Sequence, residues 1–555
     1  MLRAKHVKTE YEQSLRLYRK GSARHVLILE ADMSEDMKRR TFGLSDELRI
    51  YGNNLTAKLS KSMEQLFRTK KYKSLQKAYG KLSEIVKSHP DNKAVVSKLK
   101  AVTNKMSDMQ KEYGVTWADA RTYMMYLKDR AGLNSIFSLT RAEDIWSGAE
   151  KVIFGGADTI HFKKRGILPE IRAKQPNRGI VISVKDNQLY FKCSDIGKEA
   201  FTYKQLDKFQ ADEVSNVLKY LESPVANDEA AVSEMLETGE IIDTFRPCYA
   251  SLVCKRIRGE LRVYIHLTIE GRALPKFKAD RITPRHTLGK GRVGADIGTQ
   301  TVAYTSKHEV GLKNLSERGM TISHAERQER LLLHKMDRSR RATNPDNYNP
   351  DGTVKKGFKV WYRSNRYKRI QQKHAELCRR NAESRKYAIN EDANHLRSLG
   401  DELITEPANF KALQRKAKPE TEPETGGSKR RKRFGKSLKN RCPGAFQAAL
   451  KSKFEATDGS YHEVDRMYRA SQYDHTVNDY IKKKLSQRMF ELAKGPKVQR
   501  DWYSSFLLYN SDRHYIEPDR QSCIETFNDL YSMEIDLINN IKAAGIHVLN
   551  SGIAA

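Results

Sequence analysis

The hydrophobic period of this chain switches from helical to strand-like along its first half, which excludes an all-helical and an all-strand fold, because a pattern suited to one period does not bury its apolar face in the other. From Ser34 to about Ala149 turn signals are few. Leu44, Leu48, Leu55, Leu59, Met63 and Leu66 recur mostly three or four residues apart, with Lys and Arg filling many of the other positions, as in amphipathic helices. Between Phe162 and Leu288 the period becomes two. Ile180, Ile182 and Val184 alternate with other residues, Asp186-Asn187 marks a turn, and Leu189-Tyr190-Phe191 begins a return strand. In a second hairpin Val263, Ile265, Leu267 and Ile269 share one face, with Arg258-Gly259 at the preceding turn. Val26 to Glu30 reads as a further short strand ahead of the helices. The pattern predicts a basic helical domain and a small β-barrel domain.

A strand pattern from Val293 to Thr305 opens the second half, followed by two long basic helical stretches separated by the polar loop Asn344 to Gly357. The second stretch, Arg366 to Arg397, places Tyr367, Ile370, His374, Leu377 and Ala388 near one stripe and Arg369, Lys373, Arg379, Arg380, Arg385 and Lys386 over much of the remainder. Ten Lys or Arg stand against four acids from Trp361 to Gly400, too few partners for pairing within the helix. Lys418 to Gly427 has the composition of a disordered linker. Eight basic residues between Lys429 and Arg441 follow it with no acid among them, starting with Lys429, Arg430, Arg431, Lys432 and Arg433. Such a tethered polycation suits phosphate capture, and a nuclear localisation signal would look similar.

The 555 residues are enough for three or four domains. Lys and Arg number 102 against 69 Asp and Glu, a formal net charge of +33, while 38% hydrophobic and 9% aromatic content suffices for packed cores. An excess of this size repels itself in a compact state and is best explained by a polyanionic partner, nucleic acid first. The segment Asp207 to Asp243 reverses the trend, with ten acidic residues against Lys208 and Lys219, and is expected to face away from that partner. The six cysteines contain no CxxC pair, so neither a disulfide framework nor a zinc ribbon is written. The N-terminus never opens into an apolar signal region and no run approaches the ~18 residues that span a bilayer. A soluble cytoplasmic protein without a membrane partner is expected.

Three segments could carry chemistry. Each joins an apolar run to an acid: Val293-Gly294-Ala295-Asp296-Ile297-Gly298, Leu403-Ile404-Thr405-Glu406-Pro407-Ala408-Asn409, and Val498-Gln499-Arg500-Asp501-Trp502-Tyr503 opening an apolar helix. An Asp within an apolar strand must be hydrogen-bonded, paired with a cation or bound to metal. Gly294 and Gly298 are read as leaving the backbone open to a close-approaching ligand. Three carboxylates from separate elements are what a two-metal nuclease needs, with hard oxygen ligands holding two Mg²⁺ ions about 3.5–4 Å apart. The other reading of each acid is a helix N-cap or a surface ion pair, and it is serious for Asp501 at a helix start.

Gly-Ala-Asp296-Ile-Gly-Thr resembles the first motif of RuvC-like nucleases, and its context resembles the transposon-encoded TnpB nucleases and the related type V CRISPR effectors. The resemblance spans about half the chain. Leu331 to Arg341, Ser364 to Lys368 and the basic helix to Leu399 follow that family's order of elements. Glu406-Pro-Ala-Asn409 resembles the second motif, usually E-D-L-N, and Arg500-Asp501-Trp-Tyr-Ser-Ser-Phe-Leu the third, usually R-D-x-N-A-A-x-N-I. Phe434 to Leu438, with Phe446, Leu450, Lys453 and Val464, resembles the segment between them. This chain departs from the pattern in three places. Ser471 to Arg500 lacks the family's four-Cys zinc ribbon, Pro407-Ala408 replace Asp-Leu, and Ser504-Ser505 replace Asn-Ala.

The resemblance implies a multidomain α/β protein: an RNase H-like RuvC nuclease domain over 289–555 with basic helical insertions, a wedge-type β-barrel domain over 1–34 and 155–288 with its acidic helical insert at 207–243, and an α-helical recognition domain over 35–154. It implies an RNA-guided DNA endonuclease that binds a guide RNA and recognises a target-adjacent motif. DNA, double-stranded and single-stranded, would be cut at one site where Asp296, Glu406 and Asp501 hold two Mg²⁺, replaceable by Mn²⁺; Asp512 is the alternative third ligand, and no zinc is expected. Arg338, Arg340, Arg341, Arg366, Lys368 and Arg369 would line the heteroduplex, joined by Lys429 to Arg433. Trp146, Lys163, Lys164 and Arg165 are candidates to read the target-adjacent bases, although Trp146 is more readily a structural residue. The competing readings are a guide-independent transposase or resolvase, and an RNA-guided repressor without catalysis in which Pro407 displaces Glu406.

Overall fold

The computed structural model describes residues 24–174, 177–222, 245–270, 278, 285–317, 321–414, 420–421, 428–429, 435–457, 459–484 and 486–553. The chain divides into two compact units, Met1–Leu274 and Pro275–Ala555.

In the first unit, strand β1 (Arg24–Asp32) leads into five helices, α1 (Glu35–Arg68), α2 (Lys70–Ser88), α3 (Lys93–Glu112), α4 (Trp117–Ala131) and α5 (Ser135–Ile153). Local chemistry sets their ends. Ser34 caps α1 by accepting the Met37 N–H, and Thr116 with Asp119 forms a capping box at the start of α4, which Gly132 ends in the left-handed conformation. The stripe Leu44 to Leu66 is buried as its spacing predicts: Leu55, Leu59, Met63 and Leu66 enter the helical core, while Leu44 and Leu48 join the core of the adjoining sheet.

That sheet adds β2 (Ile171–Arg172), β5 (Thr202–Tyr203), β6 (Arg246–Ile257) and β7 (Glu260–Glu270) in the order β2-β6-β7-β1-β5, all neighbours antiparallel. A separate hairpin pairs β3 (Val181–Lys185) with β4 (Gln188–Lys192). Both expected turns are present, with Asp186 and Asn187 at φ 50° and 54° and Arg258 and Gly259 at φ 54° and 94°, the left-handed pairs that tight hairpins demand. Val263, Ile265, Leu267 and Ile269 are all buried. The sheet is nevertheless open among the described residues, not the predicted barrel. Its edges, β2 and β5, are two residues each and do not pair with one another. Period-two alternation specifies which face is buried, whereas closure depends on strand number, tilt and stagger. Of the acidic insert, helix α6 (Lys208–Glu222) is described; 223–243 lies outside the described residues, as do Arg430 to Arg433 of the basic run.

The second unit is built on β8 (Arg292–Ile297), β9 (Thr301–Ser306), β10 (Val310–Asn314), β11 (Glu402–Thr405) and β12 (Ser460–Glu463), in the order β10-β9-β8-β11-β12. The first three are antiparallel; β11 runs parallel to β8, and β12 parallel to β11. The stretch read as one strand from Val293 to Thr305 folds back on itself, with the Gly298 N–H donating to the Thr301 carbonyl at 2.9 Å. Helices α7 (Ile322–Thr343) and α8 (Asn365–Leu399) connect β10 to β11, α9 (Pro443–Ala456) precedes β12, and α10 (Arg500–Tyr509) and α11 (Arg520–Ala543) follow. Only the C-terminal part of α8 enters the core, through Ile389, Ala393 and Leu396. Trp502, Tyr503, Phe506 and Leu507 make α10 almost wholly buried, against Cys523, Phe527 and Leu530 of α11. Where the resembled family has its zinc ribbon, Tyr473–Asp474 pairs with Asp479–Tyr480 and Met489–Glu491 with Lys497–Gln499. The Asp474 carboxylate bridges these hairpins, accepting from the Thr476 hydroxyl at 2.6 Å and the Ala493 N–H at 2.9 Å. No described helix is long and apolar enough to cross a membrane.

Candidate active site

Register along the central strands sets the site. Ala295 of β8 is paired with Thr405 of β11, so Asp296 and Glu406, each the next residue, leave adjacent parallel strands side by side. Asp501 arrives on the first turn of α10. This helix lies against β8 at Gly294, where a Cβ would collide with the Ser505 carbonyl oxygen and the Tyr509 backbone nitrogen. Gly294 therefore admits a helix, not the ligand expected from the sequence, and that close approach carries Asp501 to the strand ends. A buried hydrogen bond of 2.7 Å between the Thr305 and Ser505 hydroxyls ties α10 to β9 as well.

The three acids share one electrostatic environment. Burial, then the negative charges of Asp501 and Glu406, hold the Asp296 carboxyl well above the usual carboxylate range, against the opposing pull of Arg500 and Arg488. Burial likewise raises Glu406, while a hydrogen bond from the Ala470 N–H at 3.1 Å opposes it and fixes one carboxylate oxygen. Asp501 is 15% exposed and pairs with Arg500 at 3.1 Å and Arg488 at 3.5 Å. The donor oxygens of the three acids do not all lie within 4.8 Å of one another, a spacing met among the described residues by Glu329, His374 and Cys378.

Pro407 is exposed and does not displace Glu406, which stays close enough to act on Asp296. The helix cap ahead of Asp501 is Gln499, whose side chain accepts from Trp502 N–H at 2.7 Å, so Asp501 is free of that duty. Asp512 is engaged locally: it accepts from Ile516 N–H at 2.8 Å and Glu517 N–H at 3.3 Å in the turn after α10, and the charges that act most strongly on Asp296 are those of Asp501 and Glu406. Asn409 accepts from Ala412 N–H at 3.0 Å, a local cap of its own.

The basic candidates separate into two groups. Asp337 holds Arg340 at 2.6 Å and Arg341 at 2.7 Å, and the same two guanidinium groups lie over Tyr348 and Trp361 of the loop joining α7 to α8. They brace that loop. Arg338, Arg366, Lys368 and Arg369 are exposed and form no ion pair among the described residues. The connection also presents Phe358, 95% exposed, and Tyr362, 67% exposed, flat surfaces suited to base stacking just beyond the stretch Asn344 to Gly357 read from the sequence as a polar loop. In the first unit the Trp146 indole N–H donates to Glu150 at 2.9 Å, a structural engagement. The Lys163 backbone is clasped by the Asn53 side chain, and Lys164 and Arg165 are exposed. Of the residues that shape the acid cluster, Arg500 carries a signal in the sequence, its place beside Asp501 in the motif. Arg488 carries none, because it reaches Asp501 only through the pairing that brings the Arg500 N–H to the Arg488 carbonyl at 2.9 Å.

No protein-family model matches the chain, and no curated protein matches it significantly. Three solved structures of the Cas12i1 R-loop complex share 10% sequence identity with it. The complex after target DNA cleavage aligns over 91% of this chain and 65% of its own, with a TM-score of 0.22. The selenomethionine-derived complex before target DNA cleavage aligns over 81% and 58%, also with a TM-score of 0.22. The complex before target DNA cleavage aligns over 93% and 64%, with a TM-score of 0.24. The chain thus spans less than two thirds of each of these proteins, and so remote a likeness assigns no residue a role.

Proposed function

We propose that this chain is an RNA-guided DNA endonuclease that hydrolyses phosphodiester bonds at Asp296, Glu406 and Asp501. The observation that carries the nuclease reading is the convergence of three carboxylates from β8, β11 and α10, close enough for two of them to raise the third. The donor set is oxygen only, and the mutual repulsion is relieved by a cation, so the residues fit Mg²⁺, with Mn²⁺ as a substitute. When bound, such ions polarise the phosphoryl oxygens and lower the pKa of attacking water. The chain itself contributes orientation and charge. The Ala470 N–H holds the Glu406 carboxylate in place, Arg488 and Arg500 hold Asp501, and the packing of α10 over Gly294 sets the position of Asp501 relative to Asp296.

The guided part of the reading is supported by the motif resemblance, by the net charge of +33, and by the exposed cations Arg338, Arg366, Lys368 and Arg369 on α7 and α8, which form no ion pair among the described residues. Backbone contacts of this kind bind nucleic acid without reading it and leave sequence to base pairing. The test is to express the gene with its flanking DNA, purify the protein and sequence the RNA that accompanies it. One discrete RNA with a constant scaffold and a variable end, directing cleavage that Asp296→Ala abolishes while RNA binding persists, is the expected result. Heterogeneous host RNA, or cleavage at the normal rate by Asp296→Ala, would overturn the reading.

A further inference from the structure

A second group of chemically competent side chains lies on the two basic helices of the second unit. His374 and Cys378 are four residues apart on α8 and so project from one face. Glu329 meets them from α7. The His374 Nε2 atom is 3.6 Å from Glu329 Oε1 and 3.6 Å from Cys378 Sγ, and all three donor atoms lie within 4.8 Å of one another. Four-coordinate zinc has bonds of about 2.0–2.3 Å to these donors, which at tetrahedral angles separates the donors by roughly 3.4–3.6 Å. The two edges that meet at His374 Nε2 already approach that spacing.

We propose that Glu329, His374 and Cys378 bind one Zn²⁺ ion that clamps α7 to α8, with water as the fourth ligand. The donor chemistry selects the metal. One thiolate, one imidazole and one carboxylate make a borderline-soft set that suits Zn²⁺ and its probe Co²⁺, whereas Mg²⁺ and Ca²⁺ take oxygen. Access favours it too: His374 is 23% exposed and Glu329 36% exposed, so an ion and its water reach the site without opening the core. Binding replaces the thiol proton of Cys378, which passes to water, by a sulfur–metal bond. Burial and the Glu329 charge push that thiol up, while Lys439 and Arg385 pull it back. The site belongs to the helices that carry Arg338, Arg366, Lys368 and Arg369, and the ion would fix their relative register. It owes nothing to the acid cluster, whose ligands include no sulfur.

The experiment uses the full chain, stripped with a chelator, kept under a non-thiol reductant and titrated with Co²⁺. The expected result is one equivalent of bound Co²⁺ with a thiolate-to-cobalt charge-transfer band, abolished by Zn²⁺ and absent in Cys378→Ser, while His374→Ala binds at least tenfold more weakly. Cys442→Ser, which alters another half-buried cysteine, should retain the band. Thermal unfolding without metal checks that each variant is folded, and the wild-type titration stands whether or not the variants fold. No charge-transfer band in the wild type, or an undiminished band in Cys378→Ser, would overturn the site. The readout is spectroscopic and independent of DNA cleavage, so failure here leaves the nuclease reading intact, and a catalytically inert chain would still be expected to bind cobalt.

Discussion

Glu270 and Asp296 are both acids at the end of an apolar strand, one in each unit, and their fates are opposite. Glu270 closes β7, is 1% exposed, and is satisfied: Arg24 donates to it at 3.2 Å and Arg246 reaches it from the neighbouring strand through Nε at 2.9 Å. Asp296, one residue before the end of β8, is half-buried, makes no hydrogen bond among the described residues, and faces two further carboxylates. Glu534 of α11 follows a third course. It is 1% exposed, accepts the Gln499 N–H at 2.6 Å, leaves its other oxygen without a partner, and is pushed up to about 8 by burial. A buried acid thus takes an arginine, a proton or a metal ion, and the function proposed above assigns the third course to the cluster around Asp296.

The widest separation should come from substituting Asp296. Asp296→Asn is expected to cut Mg²⁺-dependent cleavage by about a hundredfold or more, the scale of losing one preorganised charge, while raising the thermal midpoint because a repulsion is removed. A lowered midpoint would mean that Asp296 is a structural partner of the Glu270 kind. Gly294→Ala tests the close approach that brings Asp501 in. Forcing α10 off β8 should cost about 3 kcal/mol or more, at the upper end of overpacking effects, and should depress cleavage with it; unchanged urea denaturation would refute the contact. Glu270→Gln is expected to cost about 1–3 kcal/mol, since it strands partly exposed guanidinium groups, with RNA-guided cleavage retained at temperatures where the variant is folded.

Glu534 extends the comparison to pH. Between the ordinary carboxylate value near 4.5 and about 8, folded Glu534 holds a proton that the unfolded chain has released. Its contribution to stability is therefore full below that window and falls as pH rises through it, by at most about 1.4 kcal/mol per pH unit. Glu534→Gln should flatten this part of the stability curve relative to the parent chain. Parallel curves for the two proteins would show that Glu534 does not titrate there.

Much of the local structure was legible beforehand, for reasons that are themselves local. Asp186-Asn187 and Gly259 turn the chain because Asp, Asn and Gly tolerate positive φ, and the Leu44 to Leu66 stripe packs because its spacing matches a helix turn. The three acids were legible as exceptions, charges where apolar residues were expected. Val293 to Thr305 was misread as one strand because the reversal after Gly298 is short and its flanks are equally apolar. For Arg340 and Arg341 the structure adds a contact that the motif does not name, the ion pairs with Asp337 three and four residues earlier. Glu329 could not be associated with His374 and Cys378 at all, since they lie on different helices.

The sequence by itself determined where helices and strands form, how tightly the hairpins turn and which acids demand an explanation, since these follow from spacing and backbone preference within a few residues. Only the tertiary structure decided that the first sheet stays open, that Gly294 receives a helix, and which carboxylates meet each other and which meet arginine. Those outcomes turn on which groups come together across long separations in sequence, where a charge is stabilised or repelled by neighbours that no local pattern names.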